Sequence, residues 1–308
     1  MQAKIHLIAA ARPNFMKIAP LYHALRVEPW CRPVLVHTGQ HYDVNMSDAF
    51  FRDLKLPAPD HHLEVGSGTH AQQTGGVMIA YEKVAMAERP DAIIVVGDVN
   101  STIACALAGT KLGIPVVHLE AGLRSGDRTM PEEINRLATD AISDRLWTPS
   151  ADADENLLRE GVDPKRIELV GNIMIDSYEM LREEIARDGT ADRLGLKAGS
   201  YLVVTLHRPS NVDDAAMLGQ LVGQLGAIAG SVPLVFPMHP RTRKKLEEFG
   251  LLSQLTSASG VTVTDPLGYV QFMNLVSHAR GVVTDSGGVQ EETTYLGIPC
   301  LTLRENTE

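Results

Sequence analysis

Cysteine is scarce in this chain: three in 308 residues, at Cys31, Cys105 and Cys300. An odd number at such wide spacing does not suit a disulfide framework and fits buried thiols in a reducing compartment. Positive charge is short as well, with 28 Lys and Arg against 38 Asp and Glu and a formal net charge of −10. A chain so acidic is not expected to bind nucleic acid or an anionic membrane surface broadly. It can still hold a small anion, because a few local cations and helix ends decide that. No apolar run approaches the ~20 residues needed to span a bilayer, and the first residues lack the long apolar core of an export signal. No Gly-x-Gly-x-x-Gly follows the first predicted strand, so a tightly bound nicotinamide is not expected there. No metal motif is present either: Asp60-His61-His62 and His70 lack ligand spacing and read as surface groups. The expectation is a soluble cytoplasmic protein with no cofactor and no metal.

What the chain does have is a rhythm. Apolar content of 44% and charged content of 21% are ordinary for a globular protein. Short apolar runs at 5–9, 34–37, 92–96, 116–119, 145–148 and 167–170 read as strands, and the pattern resumes at 201–205, 234–236, 261–264, 281–284 and 300–303. Helical spacing lies between them, as at Ile18, Leu21 and Leu25, or over 217–229. Short buried strands alternating with helices predict parallel sheets covered on both faces. Two such series predict an α/β protein of two doubly wound, Rossmann-like domains, 1–171 and 172–308, with 172–197 carrying the crossing.

In an open α/β sheet, ligands sit outside the carboxyl ends of the strands. This chain places Arg12, Gln40, His41, Asp98, Glu120, Arg124, His207, Arg208, His239 and Ser286 to Gly288 there. So many ionisable groups from two domains predict a cleft lined for an anionic, hydroxyl-rich ligand. Asp98 ends an almost wholly apolar strand, where partial desolvation moves a carboxylate toward general acid or base use. Its plainer role would be to cap the helix that follows Asn100. Glu120 has the same placement after its own strand. Pro131-Glu132-Glu133 reads as a helix start with acids in the first turn, which explains one of the two glutamates and leaves the other for the cleft.

Asn14 stands where it would cap the first helix. Arg12, directly after a strand, suits neutralisation of a phosphate or carboxylate, whereas Lys17 taken singly reads as solvated surface charge. A lone histidine at a strand end is usual loop chemistry, but His207-Arg208 together form a clamp for charge developing on a leaving group. The most telling stretch is Val282 to Glu292. An apolar run passes through Ser286-Gly287-Gly288 into a helix, where two glycines let a ligand approach and the free N–H groups favour a phosphate. Glu292, about one turn further, could accept the hydroxyls of an attached sugar. A tight strand-to-helix turn with no ligand explains the glycines equally well.

Taken jointly and in order, several motifs resemble the non-hydrolysing UDP-N-acetylglucosamine 2-epimerases over nearly the whole chain. They are Arg12-Pro13 with Lys17, Gly97-Asp98, His118-Leu119-Glu120-Ala121-Gly122-Leu123-Arg124, Pro131-Glu132-Glu133-Ile134-Asn135-Arg136, His207-Arg208 and Asp285 to Glu292. The resemblance implies a glycosyltransferase-B-like fold with the site in the cleft between its domains, no metal and no nicotinamide. It implies that Ser286, Gly287 and Gly288 bind a diphosphate, Glu292 the ribose, and Phe272 lies at the uracil. Arg12 and His207 would sit by the phosphates with Lys17 nearby, and Asp98, Glu120 and Glu132 would be the acid/base carboxylates. Gln40 and His41 match a segment that helps hold a second UDP-sugar as activator, and the assembly implied is a homodimer.

The reaction implied is reversible epimerisation of UDP-N-acetylglucosamine to UDP-N-acetylmannosamine, by elimination of UDP to a 2-acetamidoglucal and re-addition. Ala10-Ala11, Asn14 and Pro209-Ser210-Asn211 depart from the common pattern and resemble a branch acting on other UDP-2-acetamido sugars, including diacetamido uronates. A glycosyltransferase of the same fold, a hydrolysing relative and a nucleotide-sugar sensor are the other readings weighed. Relatives continue for tens of residues past Glu308, so a C-terminally truncated second domain is expected.

Overall fold

The computed structural model describes residues 2–10, 12–39 and 53–304, with the side chains of Arg12 and Pro13 outside that description. The chain divides into two compact units, Met1–Ser177 and Tyr178–Thr307. The division falls inside a helix, Ile173–Arg187, whereas the sequence pattern put it immediately before that helix, at 171/172.

The first unit is built on seven parallel strands: β1 (Ala3–Ala9), β2 (Cys31–His37), β3 (His61–His62), β4 (Ala92–Val96), β5 (Val116–Leu119), β6 (Arg145–Thr148) and β7 (Ile167–Leu169). Their order across the sheet is β3-β2-β1-β4-β5-β6-β7. Helices α1 (Arg12–Arg26), α2 (His70–Glu88), α3 (Asn100–Lys111), α4 (Pro131–Ile142), α5 (Ala151–Arg159) and α6 (Ile173–Arg187) connect and flank them. The core follows from strands apolar on both faces: Ile8, Val34, Ile93, Val95 and Val116 of one face pack with Tyr81 of α2 and Cys105 of α3, and the alternating Leu7, Leu35, Ile94 and Val96 are buried as well. The sequence expectation missed β3. Its two residues carry no apolar signature, yet they pair with Val36 and His37 of β2. His61 is therefore a sheet residue, with Nε2 3.1 Å from Glu88 Oε1, and not the plain surface group expected. Among the described residues β3 reaches only Val36 and His37, so Pro33 of β2 pairs with β1 alone and its missing N–H leaves no bond to β3 unmade.

The second unit carries β8 (Leu202–Thr205), β9 (Leu234–Pro237), β10 (Val261–Thr264), β11 (Gly281–Thr284) and β12 (Cys300–Thr302), all parallel, in the order β10-β9-β8-β11-β12. Its helices are α7 (Thr190–Arg193), α8 (Pro209–Val212), α9 (Ala215–Ala229), α10 (Pro240–Glu248), α11 (Leu252–Ser257), α12 (Tyr269–Ser277) and α13 (Gly287–Leu296). Helix α9 shows how the local sequence does this. The Asp214 carboxylate accepts the N–H of Met217 at 2.8 Å as an N-cap, and Leu218, Leu221, Val222 and Leu225 recur on one buried face.

In each unit the strand order reverses once, between β1 and β4 in the first and between β8 and β11 in the second. At such a reversal the connections leave in opposite directions, and a crevice opens outside the strand ends. The residues that follow those four strands are Ala10 to Lys17, Gly97-Asp98, Leu206 to Arg208, and Asp285 to Gly288. These are the stretches the sequence marked for function, and both fold units place them at the same topological position.

Candidate active site

In the first unit, three elements bring their polar residues together. Lys17, on the second turn of α1, is ion-paired through Nζ with Glu120 Oε2, so it is not the solvated charge it would be taken singly. A Cβ added at Gly97 would lie 3.5 Å from Glu120 Oε2, 3.7 Å from Lys17 Nζ and 3.8 Å from Asn14 Nδ2, which places all three groups around the end of β4. Asn14 does not cap α1 as expected. The helix has already started at Arg12, and the Asn14 side chain, buried, donates instead to the carbonyl of Val96 at 3.2 Å.

Asp98 follows β4 with its carboxylate side chain 34% exposed, and both the Nε and a terminal nitrogen of Arg136 lie 3.2 Å from Oδ2. It does not cap α3, whose N-cap is Val99 with no side-chain hydrogen bond. Glu120 is buried, at φ +70°. A residue with a Cβ pays a steric cost in that left-handed region, so neighbouring contacts must hold it there.

Helix α4 separates its two glutamates. Glu133 is buried and accepts from the Ser125 N–H and hydroxyl, the Gly126 N–H and Arg136, a complete structural role. Burial alone would raise its pKa, but those donors outweigh it and hold the carboxyl below the usual range. Glu132, one residue earlier, is exposed at the N-terminal end of the helix. Arg124, placed at a strand end from the sequence, is committed elsewhere, 2.8 Å from Asp140 and 2.7 Å from Glu160. The side chain of Arg12 and the whole of Gln40 and His41 lie outside the described residues.

Sequence reasoning gave no role to His118, Asp140 or Arg136. His118 and Asp140 are wholly buried beneath the acid-bearing turns, with Nδ1 2.6 Å from Asp140 Oδ1 and Nε2 2.9 Å from the Gly97 carbonyl. A histidine in the middle of an apolar strand was the available signal. Its meaning depended on a partner 22 residues away.

In the second unit, the site is assembled around Asp285, another residue that reasoning from sequence left without a role. Its buried carboxylate accepts the backbone N–H groups of His207 and Arg208, both at 2.9 Å, and the Asn211 amide at 3.0 Å. His207 Nδ1 lies 2.9 Å from Oδ1, and since a carboxylate only accepts, the ring proton sits on Nδ1 and Nε2 is turned away. Burial would raise the Asp285 pKa, yet these donors hold it at about 2. His207 is thus a braced ring, 5.7 Å between centroids from His239.

Directly after Asp285, Ser286 is the N-cap of α13 but makes no side-chain cap, so the first N–H groups of the helix keep no capping side chain. A Cβ placed at Gly288 would meet nothing within 4 Å. Neither packing nor a positive φ demands glycine there, which favours the ligand explanation over the simple turn. Glu292, one turn on and buried, accepts from the Tyr269 hydroxyl at 2.7 Å. Burial raises its pKa to about 7, against the pull of the Tyr269 hydrogen bond and with a contribution from Glu291. Phe272 is half-buried on α12, the helix that supplies Tyr269. Among the described residues no group of His, Cys, Asp or Glu is arranged to hold a metal ion, and no helix is long and apolar enough to cross a membrane.

Two doubly wound parallel sheets, each with its polar cluster at the strand-order reversal, define a glycosyltransferase-B-like α/β protein. A family profile described as UDP-N-acetylglucosamine 2-epimerase matches residues 23–308, and the chain belongs to that family of epimerases. The chain is 42% identical over 310 residues to a UDP-N-acetylglucosamine 2-epimerase of Methanococcus maripaludis, covering 99% of this chain and 84% of that one. It is equally 42% identical, over 309 residues and with the same coverage, to a UDP-2,3-diacetamido-2,3-dideoxy-D-glucuronate 2-epimerase of Pseudomonas aeruginosa. Among solved structures, the Methanocaldococcus jannaschii UDP-GlcNAc 2-epimerase in complex with UDP-GlcNAc and UDP matches with a TM-score of 0.88 at 41% identity, covering 99% of this chain and 84% of that one.

Proposed function

We propose that the protein inverts C2 of a UDP-2-acetamido sugar, interconverting UDP-N-acetylglucosamine and UDP-N-acetylmannosamine. The observation that carries this reading is what stands at the two strand-order reversals. The first unit carries the carboxylates Asp98 and Glu120 there, and the second carries a helix end without a capping side chain, a braced histidine and the buried carboxylate of Glu292.

The hydrogen on C2 of such a sugar is not beside a carbonyl and is barely acidic. It becomes removable once the anomeric C–O bond breaks, because positive charge then develops at the neighbouring carbon. The helix end at Ser286, Gly287 and Gly288, together with Arg12, Lys17 and His207, would stabilise the departing diphosphate. Glu292 would accept the ribose hydroxyls, and Phe272 would lie against the uracil. Asp98, Glu120 and Glu132 would take the C2 proton from one face and return one to the other. Loss of UDP leaves a 2-acetamidoglucal, and re-addition of UDP with protonation from the opposite face completes the inversion. The chemistry calls on no redox cofactor and no metal. Gln40 and His41 would belong to a site for a second, activating UDP-sugar, and the working form would be a homodimer.

A second reading differs only in the sugar: a UDP-diacetamido uronate. It is favoured by the equal identity to the Pseudomonas aeruginosa relative. Incubation in deuterated water with each UDP-sugar separates the two. Deuterium at C2 and the 2-epimer should appear with the true substrate alone. Turnover without C2 label, or release of free sugar only, would exclude both readings.

A further inference from the structure

The His118–Asp140 pair lies under both acid-bearing turns of the first unit, and its hydrogen bonds constrain its charge. Both ring nitrogens of His118 face groups that only accept: Nδ1 meets the Asp140 carboxylate at 2.6 Å and Nε2 meets the Gly97 carbonyl at 2.9 Å. A neutral imidazole has one N–H and would leave one of these contacts as two lone pairs facing each other. Moving the proton to Asp140 Oδ1 would satisfy the same contacts but give up the negative charge that faces Arg124, 2.8 Å from the other oxygen, where the Gly122 N–H is also accepted at 3.1 Å. Burial would raise the Asp140 pKa, but His118 and Arg124 hold it below the usual range, so Asp140 is the anion.

The two acceptor contacts reach the two turns that matter. Gly97 immediately precedes Asp98. Gly122 follows Glu120 by two residues, and its φ of +81° and its approach to Ala153 leave no room for a Cβ, which would sit 2.5 Å from the Ala153 carbonyl oxygen. One buried pair therefore grips the chain just before one acid and just after the other, while Glu120 is held at an unfavourable φ between them.

We propose that His118 and Asp140 form a positioning dyad, an imidazolium–carboxylate pair that locks the Gly97-Asp98 turn to the Glu120-Gly122 turn and keeps a fixed positive charge beneath the two carboxylates. It rests on the reading of Asp98 and Glu120 as the reacting acids. The charged groups facing the ring are Asp140 from α4 and Glu120 from its own turn, with Arg124 and, behind it, Glu160 bound to the far side of Asp140. Burial would lower the His118 pKa, but Asp140, the Gly97 carbonyl and Glu120 overcome it and the net shift is upward.

The test uses the full chain with 15N-labelled histidine, and the variants His118→Gln and Asp140→Asn. In the parent protein at pH 7 both His118 ring nitrogens should be protonated, and a ring with one bare nitrogen overturns the proposal. In either variant the amides of Gly97 and Gly122 should both lose hydrogen-exchange protection, and loosening of one turn alone also overturns it. With substrate, kcat should fall on the order of a hundredfold with KM nearly unchanged, as expected when reacting groups are displaced slightly. The acid limb of the kcat profile should move to higher pH, and the double variant should cost no more than either single one. A variant that loses only thermal stability while keeping kcat and its pH profile defeats the proposal. If His118→Gln does not fold, Asp140→Asn is read by the same measurements. If the parent turns over neither UDP-sugar, the functional reading fails, while ring protonation and amide exchange still decide the dyad.

Discussion

Asp98 and Asp285 occupy matching places, each next to the reversal of its sheet, and the protein uses them in opposite ways. Asp285 is buried and saturated by backbone and side-chain donors, so it organises the His207 loop. Asp98 is a third exposed and held by Arg136 at one oxygen, Oδ2. Glu292 combines both conditions, being buried yet satisfied by a single hydroxyl, and its pKa of about 7 is the result. If ribose hydroxyls donate to its ionised form, UDP binding must expel a proton wherever free Glu292 is protonated. UDP affinity should therefore rise between pH 6 and 8, with proton release visible by calorimetry in buffers of different ionisation enthalpy. Glu292→Gln should bind UDP more weakly and without that pH dependence.

At the scale of an element, α13 is the clearest case of a helix shaped for something other than its own stability. It opens with Gly287-Gly288, the poorest residues for a helix after proline, and no side chain caps it. Gly288→Ala fills open space, so it should stabilise the folded protein by about 0.5–1 kcal/mol. On the proposed function, the methyl group would stand where a diphosphate would approach the helix end. Loss of a charge-assisted hydrogen bond there corresponds to about 1.5–3 kcal/mol, so UDP should bind roughly tenfold or more weakly. Thermal unfolding and UDP titration of one variant would thus move in opposite directions. A variant that is more stable and binds UDP normally would remove the phosphate role of the turn. Helix α4 makes the same point with charge: of two adjacent acids in its first turn, Glu133 is consumed by the preceding loop and Glu132 is left facing solvent.

For the whole molecule, the buried titrating groups set a stability profile. His6 and His37 are pushed down to about 4 by burial, with neighbouring histidines adding to it. A depressed folded-state pKa means that their contribution is complete above the ordinary 6.5 and is lost as pH falls toward 4. Asp285, held at about 2 against an ordinary 3.8, adds a further loss as pH drops from 3.8 toward 2. Glu292 works the other way. Its raised pKa contributes below the ordinary 4.5 and is lost as pH rises through about 7. His118, also raised, contributes below 6.5 and is lost at higher pH as the ring deprotonates. Between pH 6.5 and 4, below the range in which His118 changes, the two histidines outnumber the one glutamate, so the urea midpoint should fall on acidification and go on falling below pH 4 as Asp285 protonates. A midpoint that stays flat from 6.5 to 4 would contradict this reading of His6 and His37.

The amino-acid sequence by itself determined the elements and which polar residues follow them. Short β-branched runs with helical spacing between them leave little choice but parallel strands buried on both faces, and the polar residues after those runs are local facts. The same local legibility reached the Ser286-Gly287-Gly288 turn and the acids Asp98 and Glu120. It failed at β3, where two histidines carry no apolar pattern, and at Asn14, whose partner is the Val96 carbonyl and not its own helix. Only the tertiary structure decided which polar residue is spent on the fold and which is left over. Glu133 and Arg124 look like candidate functional groups in one dimension, whereas Asp140 and Asp285 carry no signal there. All four become structural through partners that folding brings up, from the preceding loop for Glu133 and from more distant elements for the others, and burial makes an unpaired charge too costly to leave standing.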